Sequence, residues 1–285
     1  MSTTPEGPPP SDIELKRRAF RRRQSTKSVL IGMASTVVFG FAIWFFVVNT
    51  PGWARVQDSF FDPATAMAAF PRVAEGFLVN LRILAFAVVG VAVFGTLLAF
   101  LRTLRGAVFF PLRVLAAAYT DVFRGIPLII VLFLVGFGIP GLLQTRIDSL
   151  LLGTIGLVLT YSAYVSEVIR AGFEGVHPSQ RLAARALGLS HAKTMRLVVL
   201  PQALRRQAPA LMNDFVAMQK DVGLVSLLGV VDAVRGAQIE TARFADFTPY
   251  IVAAVLFVAL AIPTIRLADW ITARLRRREQ MGSVV

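Results

Sequence analysis

Residues 204–228 read LRRQAPALMNDFVAMQKDVGLVSLL, a stretch that can cross a membrane only if Arg205, Arg206, Asp214, Lys220 and Asp221 are accounted for. Whether it spans decides how many helices the chain contains. Five other runs are uncharged and rich in Val, Leu, Ile, Ala and Phe: residues 29–48, 83–101, 125–145, 149–166 and 247–265. Each approaches the roughly 20 residues a helix needs to cross a ~30 Å hydrocarbon layer at ~1.5 Å per residue. The 285-residue chain is 55% hydrophobic and 16% charged, more apolar surface than a water-soluble core absorbs.

Charge placement resolves the sixth stretch. Lysines and arginines at 16, 17, 18, 21, 22, 23 and 27 precede the first run, and Arg274, Arg276, Arg277 and Arg278 follow the last. Basic flanks mark the cytoplasmic side, so both ends belong there and the number of spans must be even. With six, the loop carrying Arg170, Arg181, Arg185, Lys193, Arg196, Arg205 and Arg206 also falls inside, as does the linker with Arg102, Arg105 and Arg113. The expectation is an all-α, polytopic bundle of six transmembrane helices with both termini cytoplasmic. Its parts are a basic, largely disordered cytoplasmic arm (1–27), an additional N-terminal span (28–50), a main transmembrane domain (75–275) and a cytoplasmic tail (276–285). Residues 53–72 read as an exterior loop or a short interfacial helix. Barrels need ~10-residue alternating segments, which are not seen.

Several chemistries are excluded at once. The chain has no cysteine and two histidines, so thiolate and histidine-built metal centres are out. No lysine follows a glycine, so no G-x-x-x-x-G-K-[ST] phosphate loop exists, and any nucleotide chemistry must come from a partner. The net charge of +13 sits mostly beside apolar runs, which fits a lipid surface and not nucleic acid.

Ionisable groups inside apolar helices cost at least ~2.5–3.5 kcal/mol each at the bilayer centre and need a reason. Tyr119, Asp121, Phe123, Arg124, Gly125 and Pro127 open the third helix, with Asp121 and Arg124 three apart on one face. Glu167 and Arg170 repeat that spacing at the cytoplasmic end of the fourth. Interfacial structural pairing explains both; a fixed element beside a pathway is the alternative. The fifth helix concentrates Asn213, Asp214, Gln219, Lys220 and Asp221, with Pro209 able to bend it. Asn213, Gln219, Lys220 and Asp221 are candidates to line a substrate pathway, Lys220 meeting a carboxylate and Asp221 an ammonium, against buried structural pairing.

Residues 178–201, PSQRLAARALGLSHAKTMRLVVLP, form the most specific motif. Ala183, Ala184, Ala186 and Leu187 favour helix, Gly188 stops it, Ser190 caps a second short helix and Pro201 ends that. Such a knob can lie on anionic lipid or dock into a soluble partner. Ala183-Ala184, Gly188 and Leu200-Pro201 resemble the EAA loop of ABC-transporter permease subunits. Asn80-Leu81, Phe123-Arg124-Gly125-Ile126-Pro127, Ala163-Tyr164, Pro201-Gln202-Ala203-Leu204-Arg205 and Lys220-Asp221 resemble the branch that carries polar amino acids. Leu182 stands where that loop usually has glutamate, Arg181 where an aromatic is common, and Val222-Gly223 where Thr-Ser often follows. The resemblance implies an importer subunit that is not itself catalytic and holds no cofactor. It implies two ATP-binding subunits using ATP and Mg²⁺, a second permease subunit, identical or homologous, and an extracytoplasmic solute-binding protein. It also implies that Gln180, Ala183, Ala184, Gly188, Leu189, Ser190 and Pro201 couple the chain to the ATPase. The rivals are a secondary transporter or channel, which leaves the knob without a task, and a membrane enzyme, for which only Glu167, His177 and His191 offer themselves.

Overall fold

The computed structural model of the protein describes residues 12–104 and 106–282, and among them there is no β-strand. Two compact units divide the chain after Asp58. The first contains α1 (Asp12–Val48), whose apolar part, Thr26–Val48, has no buried residue. The arm expected to be disordered is helical from Asp12 onward, because Glu, Leu, Lys, Arg and Ala are good helix formers continuing an apolar span; residues 1–11 lie outside the described part.

Beyond Trp53–Phe60 (α2), the second unit opens with α3 (Pro63–Thr103), a 41-residue helix and so about 60 Å long if straight. Asp62 caps it, accepting from the amides of Ala64 and Thr65 at 3.1 and 3.0 Å. The helix starts twenty residues before the apolar run expected from sequence, since a cap followed by Pro63 is a strong start. Its most extensive packing is with α7 (Ser149–Gly175). Gly95 makes that approach possible: a Cβ there would stand 3.0 Å from Val165 and 3.2 Å from the Ser162 carbonyl. The core between them gathers Ile83, Leu84, Val91, Leu132, Leu157 and Val225.

The third expected span, residues 125–145, holds one continuous helical run over 128–143, and a separate helix not expected from the sequence precedes it. α4 (Phe110–Gly125) and α5 (Leu128–Phe133) belong to a pair bent by 109°, and α5 continues through a π-helical turn, Leu134–Gly138, into α6 (Ile139–Leu143). Thus Asp121 and Arg124 close a helix where the sequence suggested they open one. After α7 comes the knob, α8 (Pro178–Ala186) and α9 (His191–Thr194). Pro201 does not end the second of these. The chain widens into another π-helical turn, Met195–Val199, and runs straight on as α10 (Leu200–Asp221). The wide turn makes room for a ring that would collide with the carbonyl four residues back.

A 3-10 turn, Val222–Leu228, leads to α11 (Ala233–Phe244), bent by 55° from the segment before it, and α12 (Thr248–Gly282) follows. The tail expected from residue 276 therefore prolongs α12, with 283–285 outside the described part. Four stretches are long and apolar enough to cross a membrane: Thr26–Val48, Trp53–Thr103, Ser149–Gly175 and Thr248–Leu275. Counting each bent pair as one span gives six, the number the charge argument required.

Candidate functional site

Pro127 has no amide hydrogen and pushes the residue before it out of the helical region. Ile126 is accordingly extended, at φ −97° and ψ 130°. Non-helical backbone at membrane depth is tolerated where it is buried in protein or lines a cavity. Here it lines one of about 450 Å³, closed by α7 and α10. Arg124, Thr160, Tyr161, Tyr164, Asp214 and Asp221 supply the polar lining, and Gly125, Ile126, Pro127, Leu128 and Ala217 the rest.

One guanidinium and two carboxylates thus share the lining of this cavity. Tyr161 donates to Oδ2 of Asp221 at 2.7 Å, and the Arg124 guanidinium lies 6.0 Å from the Tyr164 ring centroid. Two polar oxygens remain unanswered: the Thr160 hydroxyl, which can donate or accept, and Oδ2 of Asp214, which accepts, are buried without a hydrogen-bond partner. An unmet buried polar group costs on the order of 1–3 kcal/mol, so these two oxygens are left at a cost that the fold itself does not offset.

Glu167 stands behind Arg124 as an ionic hub. It accepts from Arg102 at 2.7 Å and from Arg170 at 2.5 and 3.1 Å, with Arg124 at 4.0 Å. The Glu167–Arg170 spacing read from sequence is therefore an ion pair in the structure. The Asp121–Arg124 spacing is not. Asp121 is exposed and has no ion-pair partner among the described residues, while Arg124 turns to the cavity.

Of the four pathway candidates only Asp221 lines the cavity. Gln219 is buried and donates to Oγ1 of Thr264 on α12 at 3.0 Å; Asn213 and Lys220 are exposed and outside the lining. Adjacent residues on a helix point about 100° apart, which is why Lys220 cannot follow Asp221 inward. Thr160 and Tyr161 were not singled out, because hydroxyls in an apolar run are ordinary and their only signal was adjacency in the middle of one. The second break, before α11, is closed instead of open. Asn80 on α3 donates to Oδ2 of Asp232 at 2.9 Å and accepts from the Ala233 amide at 3.0 Å, all buried.

The two short helices of the knob are present as read. The amides of Leu187, Gly188 and Leu189 return to the carbonyls of Ala183, Arg185 and Ala184 at 3.1, 2.9 and 3.2 Å. Gly188 sits at φ +81°, where a side chain is strained, and Ser190 caps the next helix by accepting from the Lys193 amide at 3.3 Å. Ala184 is buried; Gln180, Leu182, Ala183, Leu187, Gly188 and Ser190 are exposed, Leu189 is partly covered, and Pro201 lies in the first turn of α10. No group of three or more His, Cys, Asp or Glu among the described residues is placed to hold a metal.

The family model described as "Binding-protein-dependent transport system inner membrane component" matches residues 91–277. The chain is 34% identical over 203 residues to the arginine transport system permease protein ArtQ of Bacillus subtilis (strain 168), covering 70% of this chain and 91% of that one. It is 33% identical over 208 residues to the glutamate/aspartate import permease protein GltK of Escherichia coli O157:H7, covering 67% and 92%. Among solved structures, one of an amino acid ABC transporter with histidines superposes at a TM-score of 0.68 with 32% identity, over 75% of this chain and 98% of that one. The MetNI methionine ABC transporter, inward facing, shares the fold at a TM-score of 0.57 and 20% identity, over 73% and 97%. With the family model covering more than half of the chain, and with relatives above 30% identity matched over most of their length, the chain belongs to the binding-protein-dependent inner membrane components, as a non-catalytic permease subunit of an amino acid ABC importer.

Proposed function

We propose that the cavity between α4, α7 and α10 is the station at which a polar amino acid crosses this subunit. Arg124 receives the α-carboxylate, and Asp214 or Asp221 the α-ammonium. The observation that carries the reading is the pair of buried oxygens without partners, the Thr160 hydroxyl and Asp214 Oδ2, in a cavity lined by one guanidinium. A zwitterion consumes one charge of each sign, which leaves one carboxylate over; the site therefore favours a cationic side chain, as in arginine or lysine. The name of the ArtQ relative accords with this, and the name of GltK marks the competing class.

Gln180, Ala183, Ala184, Gly188, Leu189, Ser190 and Pro201 form or brace the surface that engages the ATPase. Support comes from Leu187, 83% exposed beside the Gly188 turn, which a soluble partner's cleft would cover. Two ATP-binding subunits using ATP and Mg²⁺, a second permease subunit, a solute-binding protein outside and both termini in the cytoplasm complete the assembly. Closure of the ATPases pulls the knob, and α10 carries that movement to Asp214 and Asp221.

Uptake by the importer reconstituted with its ATPase and binding protein tests the site. Labelled arginine is expected to enter with ATP and to be displaced by lysine and not by glutamate. Preferred uptake of glutamate would sink the cationic assignment, and uptake without ATP would sink the coupled one.

A further inference from the structure

A second polar cavity, of about 400 Å³, lies at the end of the bundle that carries the knob. Four helices each send one arginine to it: Arg102 at the end of α3, Arg113 at the start of α4, Arg170 near the end of α7 and Arg181 on α8. Two carboxylates answer them. Glu167 takes Arg102 and Arg170, and Glu174, which also lines the cavity, takes Arg170. Two guanidinium charges are left over, and Glu167 is further shared with Arg124. His191 faces the same space from α9.

The donors are not used up. Among the described residues Arg102 bonds through Nη1 alone, to Glu167, and Arg113 through Nη1 alone, to the carbonyls of Leu104 and Gly106 at 3.0 and 2.9 Å. Arg181 bonds through Nη2 alone, to the Phe173 carbonyl, and its Nε is buried without a partner. Each fork keeps N–H groups in the geometry that grips a phosphate bidentately. Like charges gathered around a partly enclosed space, with an orphaned donor among them, call for an anion.

We propose that this cavity binds a phosphate-bearing anion, and that the source is the headgroup of an anionic phospholipid such as phosphatidylglycerol. The surroundings favour lipid over a soluble phosphate. Next to Arg113 the chain exposes Val108, Phe109, Phe110, Leu112 and Leu115, an apolar flank along which acyl chains lie while the headgroup enters. A bound headgroup joins three membrane helices to α8, so it stiffens the link between the bundle and the knob.

Native mass spectrometry of the purified, delipidated importer complex tests this with three probes: phosphatidylglycerol, phosphatidylcholine and inorganic phosphate. The wild-type complex is expected to retain phosphatidylglycerol over phosphatidylcholine. Arg113→Gln is expected to weaken phosphatidylglycerol retention about fivefold, the weight of one basic side chain near an anionic headgroup, with Arg113→Lys restoring most of it. Equal retention of the two lipids by the wild type overturns the proposal without any variant, and so does unchanged retention in a folded Arg113→Gln complex. Displacement of phosphatidylglycerol by inorganic phosphate at comparable concentration overturns the lipid source and assigns the cavity to a soluble anion.

Discussion

The two bent spans solve the same problem in opposite ways. At Ile126-Pro127 the helix breaks by 109° and the freed space stays open, lined by one guanidinium, two carboxylates and hydroxyls, with Thr160 Oγ1 and Asp214 Oδ2 unmet. Ahead of α11 the bend is 55°, and both carboxylate oxygens of Asp232 are spoken for: it caps α11 by accepting from the Arg235 amide at 2.9 Å and is held by Asn80. Gly76 lets α3 lie directly against that turn, since a Cβ there would come within 2.4 Å of the Asp232 backbone. A polar break that is satisfied from within is scaffold. One that is left wanting is where we propose the substrate binds.

Three substitutions break or sharpen that contrast. The largest effect is expected at the open break. Asp214→Asn removes a charge that the fold does not use, so the complex should assemble at wild-type levels. Uptake affinity, however, should fall about 10- to 100-fold, the weight of a charged hydrogen bond to substrate. Titrating uptake rate against substrate concentration measures it, and unchanged affinity would remove Asp214 from the pathway. At the closed break the loss should appear in the fold instead. Asn80→Leu orphans the Ala233 amide and one oxygen of Asp232, costs about 2 kcal/mol and lowers the apparent Tm in detergent by roughly 5 °C. A variant as stable as the parent would show the seal to be idle. The smallest effect is expected at Lys220, the exposed neighbour of Asp221. Lys220→Met should leave uptake within about twofold of wild type, and a loss as large as that of Asp214→Asn would bring Lys220 back as a substrate contact.

Run length and charge were enough to find the four long apolar helices and to require six spans, a number the structure reaches when each bent pair counts as one. The same reading placed a helix over 125–145, where the run 128–143 stands, but drew none over Phe110–Gly125. It averages over a window and cannot register a bend at the edge of an apolar run or the more polar helix before it, although Pro127 carried the local signal in its effect on Ile126. Asp221 was legible because a carboxylate in a span demands a reason. Its true partner, Tyr161, lies sixty residues away on α7, and a tyrosine in a helix announces nothing. Lys220 was singled out on the same ground, a charge inside a span, but neighbours along a helix diverge and it lies outside the cavity lining. Arg124 was visible as a charge; that it serves the cavity while Asp121 faces outward depends on where α4 ends, which only the break decides.

The π-helical turn at Met195–Val199 sets a constraint on chain length that no composition argument contains. A turn of this kind holds one residue more than an α-turn, and the slack is taken up just before Pro201. Removing a single residue from 195–199 would restore regular winding, drive the proline ring into the preceding carbonyl and phase the knob about 100° around the axis of α10. The same arrangement recurs at Leu134–Gly138 ahead of Pro140, so in both places sequence length, more than side-chain identity, fixes which face of the helix meets its neighbours.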